Sequence, residues 1–319
     1  MLALLFPGQG SQSVGMGRDV CESSPAARAV FAAADAALGR PLSRLCFEGP
    51  AEALLPTEVQ QPAILATSIA LLRALEEKVE VRPAFVAGHS LGEYSALVAV
   101  GALGLEDALR LVSARGRYMQ EAVPAGEGTM AAVLAVGAEQ VAAACAAVAA
   151  ETGRTVAPAN YNAPGQTVIA GHADAVAAAG RRLAAAGARV RALAVSAPFH
   201  CALMAPAAEQ LAPELASIRF ADPRVPVVSN VEAEPNARGS RLAELLRRQV
   251  TAPVRFEESV RRLSALGVDR VLEVGPGRVL SGLVARIERG LVRQSLATAE
   301  DLAAAREFVT TDPVTTNPV

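Results

Sequence analysis

The pentapeptide Gly88-His89-Ser90-Leu91-Gly92 constrains this chain more than any other feature. It stands between a short apolar run, Ala84 to Ala87, and a segment of helical character from about Glu93 to Val100. It therefore reads as a strand-to-helix turn with a serine at its apex. Such a turn is strained and lifts the serine oxygen out of the sheet, and the two glycines give the crowded backbone room. The same turn puts the Leu91 amide at a helix start, where a developing oxyanion is stabilised. Ser90 is the candidate nucleophile.

A serine hydroxyl needs a base, and the chain has three histidines. His89 adjoins Ser90, but neighbouring side chains diverge at a sharp turn. His172 follows a predicted strand and reads as a loop residue. His200, in Ser196-Ala197-Pro198-Phe199-His200, lies in an irregular segment and is by elimination the candidate general base and acid. No single Asp or Glu stands out as the group that orients it, so an amide or a backbone carbonyl is an open alternative.

Arg115 is the second anomaly. The helix predicted over Glu106–Ala122 has an apolar stripe at Leu105, Ala108, Val112, Met119 and Ala122, and Arg115 falls on that stripe. Arg117 lies off it, with Glu121 one turn on as an ordinary surface partner. A guanidinium on a buried face is costly unless a carboxylate or carbonyls meet it. Either an internal acid does so, or the carboxylate of a ligand.

Strands and helices alternate along most of the chain, which predicts an α/β fold with a parallel sheet covered on both faces. Leu2–Phe6 is the first strand, and Gln9 follows it on the side where open α/β sheets place their ligands. Helices are expected at about Ala26–Leu38, Ala63–Lys78, Met204–Leu215, Arg241–Val250 and Glu257–Ala265. Further strands are expected near Val225–Ser229 and Arg270–Val274, the latter turning through Gly275-Pro276-Gly277 into a final helix. Between Thr129 and Val195 the order is β-α-β-β-α-β, the ferredoxin-like arrangement. The expected organisation is a large domain over 1–124 and 197–309, a small inserted domain over 125–196, and a disordered Thr- and Pro-rich tail over 310–319.

Composition removes several function classes. With 52% hydrophobic residues in 319, a large core is expected, and a net charge of −2 gives no electrostatic footprint for nucleic acid or a membrane surface. The insert also lacks exposed aromatics that would stack RNA bases. Lys78 is the single lysine, which leaves little scope for Schiff-base chemistry or lysine-dependent phosphate loops. Gly8-x-Gly10-x-x-Ser13 lacks the third glycine of a dinucleotide fingerprint. Cys21, Cys46, Cys145 and Cys201 have neither C-x-x-C pairing nor a His at metal-ligand spacing, so free thiols and no metal are expected. No apolar run approaches the ~20 residues that span a bilayer. A soluble, cytoplasmic monomer without cofactor is the expectation.

Several segments, in order from residue 6 to about 285, together resemble the malonyl-CoA:acyl carrier protein transacylase family. They are Phe6-Pro-Gly-Gln-Gly-Ser-Gln12, Gln61-Pro62-Ala63, Gly88-His-Ser-Leu-Gly-Glu-Tyr-Ser95, Arg115-Gly-Arg-Tyr-Met-Gln-Glu-Ala122, Asn160-Tyr-Asn-Ala-Pro-Gly-Gln166, Pro198-Phe-His-Cys-Ala-Leu-Met204, Gln249 and Glu273-Val-Gly-Pro-Gly277. The resemblance implies an α/β-hydrolase-like large domain with a ferredoxin-like insert. It implies a Ser90–His200 dyad oriented by the carbonyl of Gln249, an oxyanion hole from the Gln9 and Leu91 amides, and Arg115 on the free carboxylate of malonyl. Met119 would line the same substrate site, and Asn160 or Asn162 would lie near it. Leu91 and Phe199 resemble residues of malonyl-selective members. The implied partners are malonyl-CoA and acyl carrier protein. The implied alternatives are a discrete acyltransferase of a polyketide synthase, a thioesterase, and a non-catalytic module that binds carrier protein.

Overall fold

Leu2 to Phe6 is buried at every position, and its side chains split by parity. Leu2, Leu4 and Phe6 enter one apolar core, while Ala3 and Leu5 enter another. That is the signature of a central strand covered on both faces. In the computed structural model, which describes residues 1–195 and 197–311, this segment is β1 (Leu2–Phe6). It is followed by α1 (Arg18–Ser23), α2 (Pro25–Leu38), α3 (Leu42–Glu48), α4 (Thr57–Glu76), β2 (Phe85–Gly88), α5 (Gly92–Ala99) and α6 (Leu105–Glu121). The next stretch is β3 (Gly128–Leu134), α7 (Ala138–Thr152), β4 (Val156–Ala163), β5 (Gln166–His172), α8 (Ala173–Ala185) and β6 (Arg189–Ala192). The chain then runs through α9 (Ala205–Ser217), β7 (Val227–Val228), β8 (Pro235–Asn236), α10 (Leu242–Thr251), α11 (Phe256–Ala265), β9 (Arg270–Val274), α12 (Val279–Ile287), β10 (Val292–Leu296) and α13 (Leu302–Thr310).

Six strands form one sheet in the order β10-β9-β1-β2-β7-β8, parallel except for the β7–β8 pair. The antiparallel edge departs from the parallel sheet expected from sequence. Its cause is local: Ala233, with φ 55°, turns the chain back within a few residues, and so short a connection can join only antiparallel strands. The second sheet, β4-β5-β3-β6, is antiparallel throughout, and its elements follow the β-α-β-β-α-β order expected.

Other differences have equally local causes. Helix α4 starts at Thr57, six residues before the expected Ala63, and contains Pro62. Proline lacks the N–H that would bond the Glu58 carbonyl. Arg40 and Ser113 donate to that carbonyl instead, at 2.7 and 3.1 Å. The chain does not finish on the helix after Gly277: β10 adds an edge strand and α13 packs behind it. Strand β6 ends at Ala192 rather than Val195, and Leu193 to Val195 turn towards the cleft described below. Thr310 closes α13 instead of opening the tail; the remainder of that expectation, 312–319, lies outside the described residues.

Candidate active site

The turn after β2 is fixed by steric exclusion. A Cβ on Gly88 would lie 2.0 Å from the backbone of Gly92, and one on Gly92 would lie 2.1 Å from the carbonyl oxygen of Phe6. Only hydrogen fits at either place. Between them Ser90 sits at φ 52°, a left-handed conformation that costs a non-glycine residue about 1–3 kcal/mol. Asn230, just past β7, holds the turn from both sides: its Oδ1 accepts from the Ser90 amide at 2.7 Å and its Nδ2 donates to the Gly88 carbonyl at 2.6 Å.

His200 arrives on the return segment, also left-handed at φ 59° and also buried. Its Nε2 lies 2.8 Å from Ser90 Oγ, and its Nδ1 lies 2.8 Å from the carbonyl oxygen of Gln249. A carbonyl can only accept, so Nδ1 is the protonated nitrogen and Nε2 is free to accept the serine proton. Burial, and next the Arg115 charge, push the His200 pKa down to about 3, so the ring is neutral at ordinary pH. His89 turns away from Ser90, bonding Asn162 Oδ1 at 2.8 Å, and His172 accepts from the Thr155 amide at 3.0 Å.

Arg115 is 1% exposed. Its Nη1 donates to Gln61 Oε1 at 2.8 Å; its Nη2 donates to Ser90 Oγ at 3.0 Å and to Gln249 Oε1 at 2.9 Å. Its guanidinium stands 5.6 Å from the centroid of the Tyr94 ring. All three acceptors are neutral, and among the described residues no carboxylate pairs with Arg115. Of the two readings left open by sequence, the internal acid is absent from its immediate shell.

The nearest acid stands one side chain further back. Glu93, on α5, is buried and accepts from Gln249 Nε2 at 2.7 Å and from the Asn230 amide at 3.1 Å. Burial pushes its pKa up to about 7, while the Gln249 amide, the Asn230 N–H and Arg115 pull the other way. Glu93, Asn230 and Gln61 had no place in the sequence reading as members of the site. Glu93 left a signal, as the one charged residue of its helix; Asn230 left none beyond its position at the end of a strand.

In front of these residues is a cleft of about 600 Å³ between the two sheets. Gln9, Ser90, Arg115, Met119, Asn160, Phe199 and His200 line it, with Leu55, Met130 and Leu193 as apolar wall. Asn160 therefore faces the cleft, whereas Asn162 is engaged with His89. Leu91 and Gln249 stand behind the lining, the former with its side chain in the core. Among the described residues neither the Gln9 nor the Leu91 amide has a hydrogen-bond acceptor.

Across residues 3–306 the chain matches the acyl transferase domain family. It is 49% identical over 307 residues to the malonyl CoA-acyl carrier protein transacylase of Escherichia coli K12, covering 96% of this chain and 99% of that protein. An acyl carrier protein S-malonyltransferase from Vibrio cholerae superposes with a TM-score of 0.93 at 45% identity, covering 95% of this chain and 99% of the other. A malonyl-transacylase solved in complex with its type II polyketide synthase acyl carrier protein gives a TM-score of 0.93 at 45% identity, covering 96% and 99%. On this similarity over nearly its whole length, the chain belongs to the malonyl-CoA:acyl carrier protein transacylase family.

Proposed function

We propose that the chain moves a malonyl group from coenzyme A to the phosphopantetheine thiol of acyl carrier protein, in fatty acid biosynthesis, through a malonyl ester on Ser90. One observation carries the reading: a buried guanidinium whose partners among the described residues are all neutral, 3.0 Å from the candidate nucleophile. A free carboxylate on the acyl group is the planar partner it lacks.

In the first half-reaction the Ser90 hydroxyl gives its proton to His200 Nε2 as Oγ attacks the thioester carbon. The tetrahedral oxyanion takes the Gln9 and Leu91 N–H groups, which are donors without acceptors among the described residues. Collapse breaks the C–S bond, and His200 returns the proton to the coenzyme A sulfur. In the second, the carrier thiol gives its proton to His200, sulfur attacks the Ser90 ester, and the C–O bond breaks as Oγ recovers a proton. The Gln249 carbonyl keeps the ring in one tautomer throughout, the role an acid has in other serine enzymes. The Arg115 charge is one cause of the low His200 pKa, so a carboxylate that neutralises Arg115 makes His200 a stronger base as substrate arrives. Met119, Asn160 and Phe199 would shape the space around the acyl group.

Every strand of the six-stranded sheet lies outside 125–196 and every strand of the four-stranded sheet inside it. This supports two domains, an α/β-hydrolase-like one over 1–124 and 197–309 and a ferredoxin-like one over 125–196. Because one chain supplies the whole site, a monomer is the proposed working unit. Among the described residues no helix is long and apolar enough to cross a membrane; action in the cytoplasm is proposed from the family resemblance. The polyketide alternative uses the same chemistry on a different carrier. The malonyl-transacylase solved with a type II polyketide synthase carrier speaks for that alternative, while the 49% identity to the Escherichia coli transacylase supports the fatty acid reading.

Intact mass spectrometry tests the function. Malonyl-CoA should add one malonyl group, holo carrier protein should remove it, and Ser90→Ala should abolish labelling while the protein stays folded. A malonyl adduct on the Ser90→Ala protein would sink the assignment.

A further inference from the structure

The Gln249 carboxamide stands between a buried anion and a buried cation. Its NH₂ donates to Glu93 Oε2 at 2.7 Å and to the Ser90 carbonyl at 3.0 Å, while its Oε1 accepts from Arg115 at 2.9 Å. Carboxylates and carbonyls only accept and a guanidinium only donates, so a single amide orientation satisfies both ends. Glu93 and Arg115 are each 1% exposed. A lone charge withdrawn to that degree is expensive, and each is the nearest compensation for the other.

We propose that Glu93 is the counter-charge of Arg115, acting through the Gln249 amide, and that it takes up a proton when an acyl group bearing a free carboxylate docks on the guanidinium. The inference rests on the function proposed above. With the site empty, Arg115 and an ionised Glu93 balance. A docked carboxylate brings the local charge to −1 inside a region of low dielectric, and protonating Glu93 restores neutrality. An acyl group without a carboxylate leaves the balance unchanged.

The surroundings allow Glu93 to titrate in this way. Arg115 faces it from α6, and Glu232, beyond Asn230, adds a weaker negative influence. Glu232 is itself held by Arg241 and Arg248 at 2.9 and 2.8 Å. Strands β1 and β2, packed against α5, contain no ionisable side chain. Helix α4 has Glu58 near its start and the Arg73–Glu76 pair at its end. Glu93 is poised at about pH 7, whereas His200, at about 3, stays neutral through the same range.

The sign follows from linkage. Docking that takes up a proton weakens as pH rises, by up to tenfold per pH unit above the Glu93 pKa of the empty site. The ratio of kcat/KM for malonyl-CoA over acetyl-CoA should therefore fall by about five- to thirtyfold between about pH 6 and 8.5. In Glu93→Gln the ratio should be flat and lie near the low-pH value, because the countering anion is gone; being a ratio, it cancels general loss of activity. A second measurement needs no change at Glu93. Calorimetry of Ser90→Ala with malonyl-CoA, in two buffers of different ionisation enthalpy near pH 7.5, should show net proton uptake, and acetyl-CoA should show none. A pH-independent ratio in the unmodified protein, an unchanged slope in Glu93→Gln, or no uptake with malonyl-CoA would each overturn the role of Glu93 while leaving malonyl transfer intact. Failure of malonyl-CoA to label Ser90 at any pH would remove the function itself and this inference with it.

Discussion

The floor of the cleft and the surface around α8 and β6 both present arginine, under opposite electrostatics. Arg115 is withdrawn from water and reaches only neutral acceptors. Arg181, Arg182, Arg189 and Arg191, on α8 and β6, are exposed, and Arg182 is already paired with Glu151 at 2.8 Å. A buried guanidinium acts at contact range, is little screened by salt, and discriminates by geometry. Exposed ones act over roughly a Debye length, about 10 Å at 0.1 M salt, and affect encounter more than chemistry. The first kind suits reading one carboxylate, the second gathering an acidic partner.

Changes at the floor should have the largest effects. His200→Ala should slow loading and unloading together by about 10²–10⁴-fold, since one imidazole serves both proton transfers. Single-turnover rates for each half-reaction measure this, and a loss below about tenfold would point to another base.

Arg115→Ala should lower kcat/KM for malonyl-CoA by roughly ten- to a few-hundredfold, the loss of a charged hydrogen-bonded pair. Transfer of acetyl, which has nothing to offer the guanidinium, should be unchanged or raised. Arg115→Lys should rescue only part, because an ammonium cannot form the two-pronged contact. The effect should persist at high salt, as expected of a buried pair. If the malonyl-to-acetyl ratio does not move, Arg115 is structural, and the contrast with the surface arginines collapses.

How much of this was legible beforehand depended on whether the determinant was local. The turn at Ser90 was, because two glycines and a serine encode it within five residues, and the contacts that forbid any larger residue at 88 and 92 explain them. Arg115 was, because helical periodicity marks a charge on the wrong face. The element order of the four-stranded sheet was, because its alternation survives in sequence. Residues 57–62 were misread because the propensity penalty of Pro62 is offset by Arg40 and Ser113, both distant in sequence. Strand β10, with buried residues only at its end, has too weak a pattern to announce itself. The orienting carbonyl of Gln249 belongs to the backbone and has no side-chain signature, so only family resemblance named it. Asn230 is 140 positions from the turn it braces.

The smallest expected effect belongs to the exposed arginines around β6 and α8. We propose that an acidic carrier protein docks there, near the mouth that Leu193, Ala194 and Val195 help to line. Arg189 and Arg191, two apart on β6, share one face of that edge strand. Arg182 must give up part of its bond to Glu151 to help, so it should contribute least. Exposed charge pairs contribute about 0.2–1 kcal/mol each, so changing Arg182, Arg189 and Arg191 together to Gln should raise KM for the carrier at least about threefold at low salt. The rate at saturating carrier and the loading of Ser90 from malonyl-CoA should not change, because neither involves this face. Added salt should raise KM of the unmodified protein until the two curves meet, since screening removes what the substitutions removed. Curves that stay parallel from low to moderate salt, or a variant indistinguishable from the parent at low salt, would place the docking surface elsewhere.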